Sequence, residues 1–183
     1  SEMCIRDRGT TSSRSITYDI YGGTIESSQY EYPLIYPDDG WVEIDPQVLM
    51  DSVIKSLNDI DKDDIELISI TNQRETTIVW EKQSGNPIYN AIVWQDRRTS
   101  QYCESIRSDD LEKNIQDKTG LILDPYFSAT KIKWILENVN GAKERAANGE
   151  LCFGTVDTYL MYKLSEGKIF KTDINNASRT CLL

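Results

Sequence analysis

Two oppositely charged residues, Arg74 and Glu75, come shortly after an apolar stretch of this chain. The stretch, residues 65–71, reads Ile-Glu-Leu-Ile-Ser-Ile-Thr and predicts a buried central strand. Arginine presents N–H donors in a fixed geometry, and glutamate accepts hydrogen bonds from hydroxyl groups. Held at the end of a rigid strand, the two side chains are suited to bind a small polyol. The alternative is an ion pair on the protein surface, which the spacing alone favours.

A second candidate site is the segment 7–14, Asp-Arg-Gly-Thr-Thr-Ser-Ser-Arg, at a predicted tight turn between strands. Gly9 allows the backbone to approach a phosphate group closely, and successive N–H groups can donate to its oxygens. A carboxylate at Asp7 suits a water-bridged Mg²⁺ ion, which prefers oxygen ligands. By itself, such a segment is more often a structural hairpin turn. The residues predicted to bind the phosphates of a nucleotide are Thr10, Thr11, Ser12 and Arg14.

Both segments belong to a set of five motifs that this chain shares, in the same order, with a known protein family. The set resembles the motifs of the FGGY carbohydrate kinases, and of the glycerol-phosphorylating members in particular. So many motifs in one order make a chance resemblance improbable. The motifs lie at residues 7–14, 40–46, 70–77 with 91–99, 124–138, and 153–158 with 175–180.

The resemblance implies an α/β fold, a ribonuclease H-like domain of the actin-like ATPase type, with a mixed sheet flanked by helices. It implies that Arg74 and Glu75 hold glycerol hydroxyl groups, that Trp94 lies against the carbon backbone, and that Tyr126 reaches a hydroxyl group. Packing in the core is the alternative for Trp94, and packing at a helix entry is the alternative for Tyr126. The implied reaction transfers the γ-phosphate of ATP to glycerol, with Mg²⁺ as cofactor, and gives sn-glycerol 3-phosphate.

The resemblance covers residues 9–183 as an FGGY kinase N-terminal domain and sets the first eight residues apart. Residues 1–8 have Glu2 and Arg6 where the family has an apolar strand, and Arg8 where it has Gln. We therefore expect an atypical start that is foreign to the family. The family's catalytic base is an aspartate in the second half of the protein, beyond the end of this chain. We expect a fragment without a catalytic base, inactive by itself, whose full-length form is a homo-oligomer.

Three other functions stay open. One is another FGGY kinase that acts on a larger sugar such as xylulose or gluconate, although the Thr-Asn-Gln-Arg-Glu-Thr-Thr sequence favours glycerol. The second is a nucleotide-switched assembly or chaperone protein on the same actin-like fold, which would keep the phosphate turn and lack the polyol site. The third is a regulatory or defective fragment without catalytic activity.

The composition narrows the partners and the compartment. A formal net charge of −10 argues against a nucleic-acid or anionic-membrane partner, because such surfaces require clustered Lys and Arg. No apolar run approaches the roughly 18 residues of a membrane span, so we expect no membrane insertion. The resemblance implies a cytoplasmic location. The chain has no histidine, and its four cysteines are widely separated. These counts exclude histidine-based metal sites and histidine general bases.

Capping residues and apolar periodicity predict the principal helices. Asp45 is predicted to cap a helix that has Pro46 at its first position. Ser128 is predicted to cap a helix over 129–139, and Asp157 to begin the last helix. The apolar face of the first helix is predicted to consist of Val48, Leu49, Val53, Ile54 and Leu57.

Three further features complete the predicted organisation. Residues 77–93 are expected to form a hairpin around a turn at 84–86. Gly120 is expected to end a helix over 111–118. The charged run 96–98 is expected to be solvated or to lie between subunits, and not to take part in catalysis.

Overall fold

The structure is a computed structural model that describes residues 11–182 and the backbone of residues 2–6. Its residues fall into two compact units, and the chain passes between these units three times. Unit 1 consists of Ser1–Ile35 and Ile44–Gln73, and unit 2 consists of Tyr36–Glu43 and Arg74–Leu183.

Both strands and helices occur along the whole chain, as expected for an α/β fold. The strands are β1 (Glu2–Arg6), β2 (Ser12–Tyr18), β3 (Thr24–Glu31), β4 (Glu43–Ile44), β5 (Leu67–Thr71), β6 (Ile78–Glu81), β7 (Ala91–Ile92) and β8 (Leu151–Gly154). The helices are α1 (Pro46–Asn58), α2 (Ser100–Ile106), α3 (Asp109–Thr119), α4 (Ser128–Asn138), α5 (Ala142–Ala147), α6 (Val156–Leu164) and α7 (Ile174–Ser178).

Unit 1 is built on a mixed sheet with the strand order β3-β2-β1-β5. β1 pairs with β2 in antiparallel orientation and with β5 in parallel orientation. The connection between β2 and β3 turns at Asp19, whose carboxylate accepts hydrogen bonds from the backbone N–H groups of Tyr21 and Gly23, both at 2.8 Å. The predicted mixed sheet is confirmed.

β5 differs from its prediction in burial. It is the last strand in the sheet order, so no strand among the described residues pairs with its other edge. Leu67 and Ile68 are 55% and 51% exposed. Successive strand residues point to opposite faces, so both faces of β5 are open to solvent. The prediction of a buried central strand over residues 65–71 is wrong, because an apolar run does not determine the position of its strand in the sheet.

α1 begins as predicted. The Asp45 carboxylate accepts a hydrogen bond from the backbone N–H of Gln47 at 2.8 Å and so caps the helix. Leu49, Val53 and Leu57 are buried as predicted. Two other residues of the predicted apolar face are more than one-third exposed, so the buried stripe is narrower than expected. These two residues are Val48 and Ile54.

Two serine residues, Ser52 and Ser56, also lie on the buried face of α1. Ser52 Oγ donates to Ser13 Oγ on β2 at 2.8 Å, and the hydroxyl oxygens of Ser56 and Ser15 are 2.7 Å apart. All four residues are buried. The small side chains let the helix approach the sheet closely, and each hydroxyl finds its hydrogen-bond partner across the contact. This contact fixes β2, which carries the described part of the predicted phosphate segment, against α1.

The core of unit 2 joins β6, β7 and α4. Val79, Ile92 and Ile135 form a buried cluster at its centre. The predicted hairpin is confirmed, because the backbone N–H of Ile88 donates to the carbonyl of Val79 at 3.0 Å and Thr77 bridges to Ile92. β6 also pairs in antiparallel orientation with β8. That pairing was not predicted, since local sequence patterns do not indicate which distant strands meet.

The helix boundaries of unit 2 agree only in part with the predictions. α3 ends at Gly120, which has a left-handed φ of 70°, as predicted. Ser128 is the first residue of α4 and not its cap, because its hydroxyl donates to the distant carbonyl of Glu75 at 3.3 Å. Thr155, and not Asp157, occupies the cap position of α6. The short helix α7 was not predicted.

The prediction that the charged run after β7 is solvated is wrong for two of its three residues. The side chains of Arg98 and Asp96 are 0% and 1% exposed, whereas that of Arg97 is 55% exposed. Arg98 donates to the carboxylates of Glu43 at 2.6 Å and Asp96 at 2.8 Å. Asp96 also accepts a hydrogen bond from the backbone N–H of Val42 at 2.6 Å. These charges are buried because each one meets an opposite charge inside the same unit.

Aromatic rings complete this buried ion cluster. The guanidinium carbon of Arg98 lies 4.0 Å from the ring centroid of Trp41 and 4.5 Å from that of Trp134, both within cation–π distance. The hydroxyl of Tyr89 donates to Glu43 at 2.7 Å. The loop that leaves β7 is therefore held at its far end by Arg98. Trp94 lies within this loop.

We expect Arg98→Ala to lower the free energy of unfolding by about 3–5 kcal/mol, because the buried carboxylates of Glu43 and Asp96 lose their cation. Urea unfolding followed by circular dichroism measures the change. Arg97→Ala is the matched control: its pair with Asp124 lies near the surface, so its loss should cost no more than about 1 kcal/mol. Equal losses in the two variants would contradict this account of the cluster.

Candidate functional site

Glu75 is the centre of the candidate site in unit 2. Its side chain is buried, with the residue 2% exposed. Its φ is +65°, a left-handed conformation that costs free energy for any residue other than glycine. One carboxylate oxygen, Oε1, accepts a hydrogen bond from Nε of Arg179 at 2.6 Å. The ion-pair partner of Glu75 is therefore Arg179, and not its sequence neighbour Arg74.

Arg179 joins two of the predicted site residues, Glu75 and Tyr126, and the third, Trp94, contacts Tyr126. Its guanidinium carbon lies 5.6 Å from the ring centroid of Tyr126 and 5.1 Å from that of Phe127. The Tyr126 ring meets the Trp94 ring edge-on, with the centroids 5.7 Å apart. A charged pair and an aromatic wall thus adjoin each other, which is the arrangement that a polyol site requires. Glu75, Tyr126 and Trp94 are the predicted members of this group, and Arg179 is an addition to it.

Arg74 differs from the other members in its exposure. Its side chain is exposed, and it makes no hydrogen bond or ion pair with the side chains that the structure describes. It adjoins the group through its peptide bond to Glu75. The N–H donors of Arg74 are consequently available to a ligand, whereas Arg179 already uses one donor on Glu75.

A buried lysine, Lys131, connects two of the site residues through their backbones. Its Nζ donates to the carbonyl oxygen of Tyr126 at 2.6 Å and to that of Glu75 at 3.2 Å. The residue is 0% exposed. Ser128 Oγ donates to the same Glu75 carbonyl at 3.3 Å. The first turns of α4 therefore hold the loop before β6 and the loop before α4 at a fixed distance.

Burial lowers the pKa of Lys131 from 10.5 to about 7, because an ammonium group loses its hydration inside the protein. The negative charges of Asp96, Glu75 and Asp124 oppose this change, and the positive charge of Arg98 adds to it. The proton of Lys131 is therefore lost near neutral pH, far below the pH at which an exposed lysine titrates.

Neither Arg179 nor Lys131 was predicted as a site residue. The ion pair of Arg179 with Glu75 joins residues 104 positions apart, and no local pattern indicates such a pair. Lys131 had a usable signal. It lies four residues before the buried Ile135 on α4, and residues at this spacing share one face of a helix. A lysine on a core-facing position is unusual and marks a candidate functional group.

The predicted phosphate segment is described only from residue 11 onwards, in unit 1. Asp7 and Thr10 lie outside the described residues. Thr11 is exposed. Ser12 Oγ accepts a hydrogen bond from Gln29 Nε2 at 3.1 Å, and Arg14 Nε donates to Gln29 Oε1 at 2.7 Å. Gln29 on β3 therefore binds both of the predicted phosphate-binding residues of β2, a role that no local sequence pattern indicates.

A metal site cannot be assigned to the described residues. Among residues 11–182, no group of three or more His, Cys, Asp or Glu side chains is placed to hold a metal ion. A Mg²⁺ ion needs few protein ligands, since it keeps several of its waters. Its predicted ligand, Asp7, lies outside the described part of the chain.

Comparison with known sequences identifies the family. The profile of the FGGY family of carbohydrate kinases, N-terminal domain, matches residues 3–183. The chain belongs to the FGGY family. This FGGY chain is 54% identical over 182 residues to glycerol kinase from Allorhizobium ampelinum, and 54% identical over 180 residues to glycerol kinase from Marinomonas sp.. The alignments cover 96% and 95% of the chain but only 37% and 36% of these relatives. The chain thus spans little more than a third of their length.

Solved structures confirm the fold of the FGGY chain. Plasmodium falciparum glycerol kinase with ADP matches it with a TM-score of 0.86 at 34% identity, over 100% of this chain and 38% of that one. Xylulose kinase from Lactobacillus acidophilus matches with a TM-score of 0.82 at 25% identity, over 100% and 37% of the two chains. The predicted actin-like α/β fold is thereby confirmed. Among the helices of the described residues, none has the length and apolar character needed to cross a membrane.

We expect Arg179→Ala to lower the free energy of unfolding by about 1–3 kcal/mol, because the buried carboxylate of Glu75 loses its charged donor. Arg74→Ala is the matched control and should change it by less than about 0.5 kcal/mol. Chemical unfolding of both variants measures the difference. The cost of removing Arg179 should shrink when Glu75→Gln is already present. Strictly additive losses would rule out the pair.

The lowered pKa of Lys131 gives the stability of the chain a pH dependence of definite sign. Between pH 7 and about 10, the unfolded chain retains the Lys131 proton while the folded chain releases it. Because the unfolded state then binds more protons, the contribution of Lys131 to stability rises with pH, by at most roughly 1.4 kcal/mol per pH unit. Urea unfolding should show that the free energy of unfolding of wild type rises relative to that of Lys131→Met over this range. A constant difference between the two proteins would refute the lowered pKa.

Proposed function

We propose that the polypeptide carrying this sequence is an ATP-dependent glycerol kinase, which transfers the γ-phosphate of ATP to glycerol and gives sn-glycerol 3-phosphate. The observation that carries the proposal is the contact series Glu75–Arg179–Tyr126–Trp94 in unit 2. It joins a buried carboxylate to an aromatic wall. Glycerol has this dual character, with hydroxyl groups along a short carbon chain.

The polar side of the site supplies an acceptor and donors for hydroxyl groups. Arg179 occupies Oε1 of Glu75, while no described residue donates to Oε2. That second oxygen can accept a hydrogen bond from a glycerol hydroxyl. Arg74 contributes N–H donors that no described side chain engages. Because Arg179 holds the carboxylate in place, Glu75 is oriented before glycerol binds, which reduces the entropy lost on binding.

The aromatic side of the site offers apolar surface to the carbon chain of the ligand. Trp94 and Tyr126 are each half-buried, so part of each ring surface remains open. An edge-on contact 5.7 Å between centroids fixes the angle between the rings. The carbon chain of glycerol can lie against Trp94 while the phenol of Tyr126 reaches a hydroxyl group.

The nucleotide contacts are proposed for the β2 segment of unit 1. Thr11, Ser12 and Arg14 would donate to phosphate oxygens of ATP, with Thr10 and Asp7 in the part of the segment outside the described residues. The ADP named with the Plasmodium falciparum relative supports a nucleotide as ligand. A Mg²⁺ ion held near Asp7 would neutralise phosphate charge. The cytoplasmic location and the homo-oligomeric state expected from the resemblance stay predictions.

Another FGGY sugar kinase is the second candidate. Xylulose and gluconate kinases match this chain in fold, but at 25% and 26% identity. The glycerol kinase relatives reach 54%. Glycerol is therefore favoured as the acceptor. The polyol contacts of unit 2 also argue against a nucleotide-switched assembly or chaperone protein, which would have no use for them.

The test uses the polypeptide of the complete reading frame that contains this chain, in a coupled assay of ADP formation with glycerol, xylulose and gluconate. Arg74→Ala should lower kcat/KM for glycerol, because a charged donor is lost from the site. The expected decrease corresponds to a loss of about 2–4 kcal/mol of transition-state stabilisation. Glu75→Gln should lower it as well, since an amide replaces one acceptor oxygen by a donor. Lys113→Ala, an exposed change on α3, is the matched control.

Near-normal glycerol kinetics in both site variants would remove Arg74 and Glu75 from the polyol site. Preference for xylulose or gluconate over glycerol would favour the second candidate. We expect residues 1–183 alone to give no glycerol 3-phosphate above background, since phosphoryl transfer needs a base and both substrates held together. Robust turnover by those residues would contradict the expectation of a fragment without a catalytic base.

A further inference from the structure

We propose that Lys131 is a positioning residue for the polyol site, and that its ammonium group sets the distance and orientation between Glu75 and Tyr126. The proposal rests on the proposed function, since it concerns the residues assigned there to glycerol. Lys131 would not touch glycerol itself. It acts through the backbones of two residues that do.

The contacts of Nζ carry this inference. Nζ donates at 2.6 Å to the carbonyl oxygen of Tyr126 and at 3.2 Å to that of Glu75. These two carbonyls belong to loops 51 residues apart in sequence. One ammonium group therefore joins the residue that binds a hydroxyl by its carboxylate to the residue that binds one by its phenol. A displacement of either loop would lengthen one of the two hydrogen bonds.

The backbone of Glu75 needs such a restraint. Its φ of +65° is unfavourable for a residue with a Cβ atom, and such conformations persist only where the surroundings impose them. Its carbonyl oxygen accepts hydrogen bonds from Thr77 Oγ1 at 3.1 Å, from Ser128 Oγ at 3.3 Å and from Lys131 Nζ. Three donors converge on this one oxygen. Lys131 is the charged member of the three, and hydrogen bonds from a charged donor are the stronger ones.

Core packing does not explain a lysine at position 131. The residue is 0% exposed and shares a helix face with the buried Ile135, so an apolar side chain would avoid the cost of burying a charge. Nζ forms no ion pair within 4.0 Å of a described carboxylate. Its hydrogen bonds go to two backbone carbonyls, both of residues in the candidate site. The free-energy cost of burying Lys131 is therefore offset by hydrogen bonds that order the site.

The charge of Lys131 makes the site sensitive to pH. Asp96 from the loop after β7, Glu75 from the loop before β6, and Asp124 from the loop before α4 favour the ammonium form, while Arg98 disfavours it. Burial outweighs these charges and brings the pKa to about 7. The chain has no histidine to titrate in the same range. Loss of the proton leaves an uncharged amine, which is a weaker donor to both carbonyls.

The kinetic test uses the polypeptide of the complete reading frame, with Lys131→Met as a change of similar volume. We expect the KM for glycerol to rise about tenfold or more, which corresponds to the loss of charged hydrogen bonds, and the KM for ATP to change less than about twofold. In wild type, the KM for glycerol should rise from pH 6 to pH 9, and this dependence should be absent in Lys131→Met. Lys133→Met, an exposed change on the same helix, is the matched control.

An unchanged glycerol KM in a folded Lys131→Met variant overturns the proposal. A similar rise in the KM for ATP does so too, because it indicates general damage to the fold. If Lys131→Met does not fold, the pH dependence in wild type decides, and a flat glycerol KM from pH 6 to pH 9 overturns the proposal.

A second readout needs no substrate. At pH 6, where the ammonium form prevails, amide hydrogen exchange of the 183-residue chain in peptides covering 74–78 and 125–130 should be faster in Lys131→Met than in wild type. Exchange in the rest of α4 should be the same in both proteins. Unchanged protection in both peptides overturns the proposal. If wild type shows no activity with glycerol but exchange behaves as expected, the proposed function fails while the positioning role of Lys131 stands.

Discussion

The candidate site depends on one buried residue in an unfavourable backbone conformation. Glu75 keeps its left-handed φ because other groups bind it at both ends. Arg179 holds the carboxylate, while Ser128 and Lys131 hold the carbonyl oxygen. Strain of roughly 1–3 kcal/mol persists only where the surrounding structure imposes it. The orientation of the proposed polyol contacts and the packing of α4 are therefore decided by the same few interactions.

A second set of buried charges supports the aromatic side of the site. Asp96 and Arg98 follow Trp94 closely in sequence, and their ion pairs with each other and with Glu43 fix the loop that leaves β7. Removal of one member leaves an unpaired charge inside the protein, which is far more costly than loss of a surface pair. Unit 2 therefore presents the proposed polyol contacts on a framework that is rigid for electrostatic reasons as well as by packing.

The sequence predicted the features that local chemistry determines. The Asp45 cap and the hairpin after Glu75 follow from capping and turn residues, whereas the mixed sheet was implied by the resemblance to the FGGY kinases, and all three are confirmed. Burial of charge was not predictable from local patterns, because it depends on partners that meet only in the fold. Arg98 was predicted to be solvated or to lie between subunits, but it is buried against Glu43, 55 residues away. The exposure of Leu67 has the same origin, since the position of β5 at the end of the sheet order is a property of the whole sheet.

The open edge of β5 has a consequence for work with this polypeptide in solution. Its outer N–H and C=O groups have no strand partner among the described residues, and the exposed Leu67 and Ile68 lie on its two faces. An extended, apolar edge of this kind is a template on which a second chain can add as a further strand. The high net negative charge opposes such association through mutual repulsion between copies. Added salt screens that repulsion, so the concentration at which the chain precipitates should depend more on ionic strength than on the stability of its fold.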